Sequence, residues 1–145
     1  MAYKNLEITP TNYNSQHTDK LTHYYKGFST TNPDNRGSKL YDFELIKQNI
    51  LNHFNTRKGQ RVMNPNFGTV IWDLLFEPFT DSVKKQIAND VTRIVTSDPR
   101  ATCLEVNVVE QEYGLLLEIT LVYKDSDQSE NIKLSFDKAS GLSTV

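Results

Sequence analysis

Cysteine is almost missing from this sequence, and the one that is present offers little chemistry. Cys103 cannot form a disulfide within the chain, and it lies in an apolar, alternating stretch that is a poor place for an exposed thiolate. It reads as a small buried hydrophobe in a protein that needs no staples. Long hydrophobic runs are missing too. No stretch approaches the about 18 apolar residues of a membrane span, and the N-terminal MAYKNLEITPTNYN has no apolar signal-peptide core. The expectation is a protein made and folded in a cytoplasm, with no membrane partner. A basic excess is also lacking: a net charge of −2 argues against nucleic acid as a partner, because phosphate binding shows as a surplus of Lys and Arg.

The same scarcity runs through the chemical constellations. His17 and His23 fall in a polar N-terminal stretch and His53 in a helical one, and none has a partner at a metal-ligand spacing. Gly59 and Gly68 are isolated, so no Walker or Rossmann phosphate loop exists, and no cofactor is implied. Glycoside hydrolysis would need two carboxyls across a sugar. Asp73, Glu77, Glu105 and Glu118 are candidates, with Glu77 foremost because Pro78 and two phenylalanines surround it. The plainer reading of Glu77 is a carboxylate satisfied by local amides, Arg57 or Arg61. These residues favour a protein that is not an enzyme.

What is present fits one α+β domain over residues 40–145, preceded by a polar arm over residues 1–39. The arm is rich in Asn, Thr, Ser and Asp and cannot bury enough within itself to order. Tyr24, Tyr25 and Phe28 cluster in it, and a short strand is expected from about Tyr24 to Thr30. Phe43, Ile46, Ile50 and Phe54, joined by Leu45 and Leu51, then fall on a helical stripe. They predict a helix from Asp42 to Asn55, capped by Asp42 or Ser38 and stopped at Gly59 after the basic Arg57 and Lys58. A second long helix is predicted from Thr80 or Asp81 to about Ser97. It buries Val83, Ile87, Val91, Ile94 and Val95 and turns Lys84, Lys85, Gln86, Asn89 and Asp90 outward. Pro99 forces its exit.

Beyond Arg100 the period becomes two. Leu104, Val106 and Val108 alternate up to Glu110; Leu115, Leu117, Ile119, Leu121 and Tyr123 form a second strand, and Ile132, Leu134 and Phe136 a third. Helices followed by strands predict helices on one face of a small antiparallel sheet. The third strand reads as an edge that the tail DKASGLSTV is too weakly apolar to cover, open to a strand from another chain unless the arm seals it.

Between the two long helices lies the densest turn chemistry, RKGQRVMNPNFGTVIWDLLFEPF from Arg57 to Phe79. Gly59 and Gly68 suit left-handed backbone, while Pro65 and Pro78 fix φ and remove a donor. Gln60 to Met63 read as extended, Asn64 to Gly68 as a turn and Thr69 to Phe76 as a short helix ended by Pro78. Trp72, Leu75 and Phe76, with Ile46 and Ile50, are expected to form the interior beneath. Arg57, Lys58 and Arg61 are too few for a nucleic-acid surface and read as forks for carboxylates or carbonyls.

An ordered string of motifs now stands out: Thr56, Arg57, Lys58, Gly59, Arg61, Val62, Pro65, Phe67 and Gly68; then Leu75, Phe76, Glu77 and Pro78; then Asp98, Pro99 and Arg100 ahead of Val106 and Val108. From about Leu40 to Phe136 it resembles the baseplate wedge subunits of contractile phage tails, the T-even lysozyme-like family. The family tripeptide is usually Glu-Pro-Arg, and Asp98 takes the Glu place with a carboxylate one methylene shorter. The resemblance implies a structural subunit of the virion's tail baseplate, assembled in the host cytoplasm, monomeric alone and repeated around the tail. Its implied partners are the helical core bundle of neighbouring wedge proteins, docked through Asp98, Pro99, Arg100, Arg57 and Arg61, and tail sheath subunits that add a strand to the sheet. A type VI secretion baseplate component of the same family is the alternative, and a muramidase-like hydrolase a more distant one. Asp98 to Arg100 would present a rigid docking corner, or else act as an internal cap joining helix to sheet.

Overall fold

The alternating apolar residues of the C-terminal half build a four-stranded antiparallel sheet in the order β3-β4-β5-β6: β3 (Ala101–Gln111), β4 (Gly114–Tyr123), β5 (Ser129–Asp137) and β6 (Gly141–Thr144). The structure, a computed structural model, describes residues 24–29, 39–124 and 127–145. Ahead of the sheet come a two-stranded ribbon, β1 (Lys26–Phe28) with β2 (Lys39–Tyr41), and three helices, α1 (Asp42–Asn55), α2 (Ile71–Leu74) and α3 (Asp81–Thr96). The fold is α+β. Its core lies between the helices and one sheet face, where Ile46, Ile50 and Phe54 of α1 and Ile87, Val91 and Ile94 of α3 join Leu117, Ile119, Leu121, Leu134 and Phe136.

The long helices follow their periodicity closely. α1 has the expected bounds, and α3 starts where Thr80 accepts the N–H of Val83. The stops and caps differ. α1 ends at Thr56, whose backbone is extended and whose hydroxyl donates to Asn52 O at 2.8 Å, so Gly59 is not its stop. Nor does Asp42 cap α1: the N-cap position is Tyr41, with no side-chain cap bond, and the Asp42 carboxylate instead accepts the N–H groups of Tyr24 and Tyr25, each at 2.9 Å, and so clamps the arm to the helix start. Ser38, like most of the arm (1–23 and 30–38), lies outside the described residues. The expected strand near Tyr24 appears as β1, but it pairs with β2 instead of sealing the main sheet. It lies so close to α1 that a Cβ on Gly27 would sit 2.3 Å from Leu45 Cδ1.

Three further expectations fail on long-range pairing. The tail does cover β5: Asp137 accepts the N–H of Ala139 and Ser140, Gly141 turns at φ 86°, and β6 pairs with β5 from Asp137↔Gly141 to Leu134↔Thr144. Backbone pairing, which needs no apolar surplus, holds it, so β5 is an inner strand and the described outer strands are β3 and β6. In β3 the register shifts between Cys103 and Glu105, leaving Leu104 as the extra residue of a bulge and 64% exposed. Val106 and Val108 stay half-buried on the core side. Finally, Gln60 to Met63 form turn and coil with no strand.

Candidate functional site

The 57–68 loop is a knot of turns closed by its own backbone. Lys58 donates to Thr69 O at 3.0 Å, Thr69 to Thr56 O at 2.9 Å, Gly59 to Pro65 O at 3.0 Å and Phe67 to Asn64 O at 3.1 Å. Gly59 and Gly68 hold φ of 89° and 103°. At Gly68 a Cβ would also meet Thr56 O at 2.5 Å, so this position requires glycine twice over.

Asp90 and Arg93 brace this loop from α3, and sequence reasoning missed both. Asp90, placed outward by periodicity, is 7% exposed. Its Oδ2 accepts Thr69 Oγ1–H at 2.7 Å and Val70 N–H at 3.0 Å, and its Oδ1 accepts Arg93 Nε–H at 3.0 Å and Nη2–H at 2.7 Å. Arg93 also donates to Asn66 O at 3.1 Å and Gly68 O at 2.7 Å. The available signal was spacing: position 90 is three residues from Ile87 and four from Ile94, inside the buried stripe.

The second motif sits where α3 turns into β3. Arg100 grips Asp98 in a fork, Nε to Oδ1 at 2.8 Å and Nη2 to Oδ2 at 2.6 Å, and its backbone N–H adds a third bond to Oδ1 at 3.0 Å. Their side chains are 21% and 12% exposed. Burial alone would raise the Asp98 pKa, but the hydrogen bonds and charge of Arg100 outweigh it and hold the carboxyl below its ordinary value. The guanidinium also lies 4.9 Å from the Tyr25 ring centre, which ties the arm to the corner.

Loop and corner meet across a cleft of about 510 Å³. Asn49, Asn52 and His53 of α1 form one side, Arg61 and Phe67 come from the loop, and Ser97 to Arg100 close the other side. Within it three side chains stack: His53 lies 3.7 Å from the Phe67 ring centre, and Arg61 sits over Phe67 at 3.6 Å. His53 Nδ1 is buried and has no hydrogen-bond partner among the described residues. Burial first, then the charges of Arg93 and Arg61, lower the His53 pKa, which favours a neutral ring. The cleft thus joins cationic, aromatic and amide groups on a rigid frame.

The other singled-out residues lie apart from the cleft. Arg57 pairs with Asp73, not with Glu77, on the far side of the loop. Trp72 is half-buried, donates Nε1–H to Phe54 O at 2.8 Å and meets Phe136 edge-on at 5.1 Å. Leu75 is buried, but Phe76 is 73% exposed, contrary to the interior expected for it: α2 is a single turn that puts position 76 outside. Glu77 is exposed, and its N–H closes on Leu74 O at 3.1 Å before Pro78 ends the turn. Burial raises the thiol pKa of half-buried Cys103.

Comparison with known proteins joins these segments. The family model of baseplate wedge protein gp25 matches residues 42–128, which include both the loop and the corner. Baseplate wedge protein gp25 of Enterobacteria phage T4 is 38% identical over 104 residues, covering 67% of this chain and 76% of that protein. Among solved structures, a protein named as a tail lysozyme from Geobacter sulfurreducens superposes with a TM-score of 0.58 at 28% identity, over 65% of this chain and 88% of the other. A chain of the anti-feeding prophage baseplate matches with a TM-score of 0.53 at 25% identity, over 68% and 80% of the two chains.

Proposed function

The chain belongs to the family of baseplate wedge protein gp25, and from that premise we propose that it is a structural subunit of a contractile-tail baseplate in the virion. It docks on the helical core bundle of neighbouring wedge proteins through the cleft between the loop and the Asp98–Pro99–Arg100 corner. The observation that carries this reading is the meeting of Arg61 and Phe67 with Asp98, Pro99 and Arg100 around one cleft, although about thirty residues separate them in sequence. Asp98 and Arg100 satisfy each other, so the corner offers a preset shape and not a free cation, and Arg61 is the exposed charge at the rim. Arg57 contributes from the far side of the loop.

A second contact, with tail sheath subunits, is favoured by β3. Its 11 residues pair on one side with β4, and among the described residues no strand pairs on the other. We assign the chain no catalytic role: Asp73 is engaged by Arg57, and Glu77 is exposed beyond α2 and does not line the cleft.

The test is co-purification with the wedge proteins of the same virion. Arg100→Ala and the cleft-blocking Asn49→Arg are expected to lose the wedge complex. Thermal unfolding of each isolated variant separates lost docking from lost folding. Folded variants that both co-purify at the wild-type level would overturn the reading.

A further inference from the structure

Between Glu44 and Asp73 the sequence carries no carboxylate but four cations, Lys47, Arg57, Lys58 and Arg61, in a chain whose net charge is −2. Two of them are committed within the fold, Lys47 to Glu130 and Arg57 to Asp73. Among the described residues, no ion pair takes Lys58 or Arg61. Both stand on the loop whose apex holds Val62 and Met63, side by side and 92% and 96% exposed.

Exposed apolar residues are common when scattered. These are adjacent, on a support that is unusually well fixed for a surface loop. Arg61 O accepts Asn64 N–H at 3.2 Å across the apex, the Gly59 to Pro65 bond closes its base, and Gln60 Oε1 accepts Arg57 N–H at 2.9 Å. Beneath them Arg93 holds the carbonyls of Asn66 and Gly68. A rigid loop loses little conformational freedom on binding, which is the property of an anchor. Val62 contributes a stiff branched side chain and Met63 an adaptable one.

We propose that this apex is a second docking surface, which inserts Val62 and Met63 into an apolar pocket rimmed by carboxylates on a partner protein. Charge complementarity selects that occupant, since Lys58 and Arg61 flank the apex and no acid lies within the loop. Nucleic acid fits less well, because the tip presents aliphatic side chains where a base would stack on an aromatic one. The inference rests on the chain being an assembly subunit but not on the role of the Asp98–Arg100 corner.

The experiment uses the full chain carrying Met63→p-benzoylphenylalanine, co-expressed with the wedge proteins of the same virion, irradiated and mapped by mass spectrometry. The crosslink is expected in a partner segment with apolar residues beside Asp or Glu. Val62→Ser combined with Met63→Ser should weaken wedge assembly about tenfold or more, and Lys58→Glu alone should weaken it and flatten its salt dependence, while thermal stability stays near wild type. No crosslink, a crosslink to a second copy of this chain or to nucleic acid, or full assembly of the double variant would each overturn the proposal. A wild-type chain that joins no wedge complex would overturn the assembly reading, and this inference with it.

Discussion

Replacing Asp90 by alanine should unfold the loop before it damages anything else. Three groups depend on that carboxylate: the Thr69 hydroxyl, fully buried and 2.7 Å away, the Val70 amide at 3.0 Å, and the Arg93 guanidinium. Each donor left without an acceptor costs about 1–3 kcal/mol. The Arg93 side chain is 38% exposed, so water screens the ion pair and its own share is discounted to about 1 kcal/mol or less. The sum is about 2–7 kcal/mol, which brackets the about 3–5 kcal/mol observed when one partner of a buried pair is removed. For a chain of this size that corresponds to a fall of about 10 °C in the unfolding midpoint. Asp90→Asn keeps an oxygen for Thr69 and Val70 and forfeits mainly the ion pair, so its cost should be about 1–2 kcal/mol. Urea unfolding followed by the single Trp72, which hydrogen-bonds to the end of α1, reads both variants in the region concerned. A cost below about 1 kcal/mol for Asp90→Ala would refute the view that this carboxylate holds the loop on α3.

Gly68→Ala should prevent stable folding, because a Cβ would meet Thr56 O at 2.5 Å, whereas Gly59→Ala, with open space around it, should cost only the about 1–2 kcal/mol of left-handed backbone; equal costs by thermal unfolding would contradict the packing at Gly68. Trp72→Ala should cost about 2–4 kcal/mol and Trp72→Phe clearly less, measured by circular dichroism, since the ring packs on Phe136 while half-exposed. For pH, the His53 pKa is lowered in the fold, so the unfolded chain takes up the proton first and stability falls as pH drops below 6.5. His53→Gln should lessen the loss between pH 7 and 5, and an unchanged loss in unfolding free energy would remove His53 as its source. Amides alternate along β3, so a proline scan over Asn107, Val108, Val109 and Glu110 should yield alternate variants that fold but fail to assemble sheath; normal sheath assembly on every folded variant would exclude strand addition there.

Periodicity carried most of the fold, because it is a property of neighbouring residues. Ile46, Ile50 and Phe54 at helical spacing, and Leu115 to Tyr123 at alternate positions, report their own environment, and their elements lie where those patterns put them. Gly59 and Gly68 were legible for the same reason: a positive φ is a local demand, and few residues meet it. The motifs on either side of the cleft were legible as separate strings, but nothing along the chain tells that Phe67 and Pro99 face one space.

The failures share a different origin. The β6 tail is held by backbone bonds to β5, which leave no trace in side-chain pattern. Leu104 leaves the core because one extra residue slips the register against β4. Phe76 faces water because α2 stops after one turn.

The sequence by itself determined the element types, the turn positions, the α+β class and, through its ordered motifs, the family. Tertiary structure alone decided that Arg100 grips Asp98, that Arg57 pairs with Asp73, and that Asp90 is buried as the brace of a loop some twenty residues away. Local conformation is set by sterics and by the period at which side chains meet water. The partner of a charge or an amide is set by which distant segments the packed core brings within about 3 Å, and that depends on the whole chain at once.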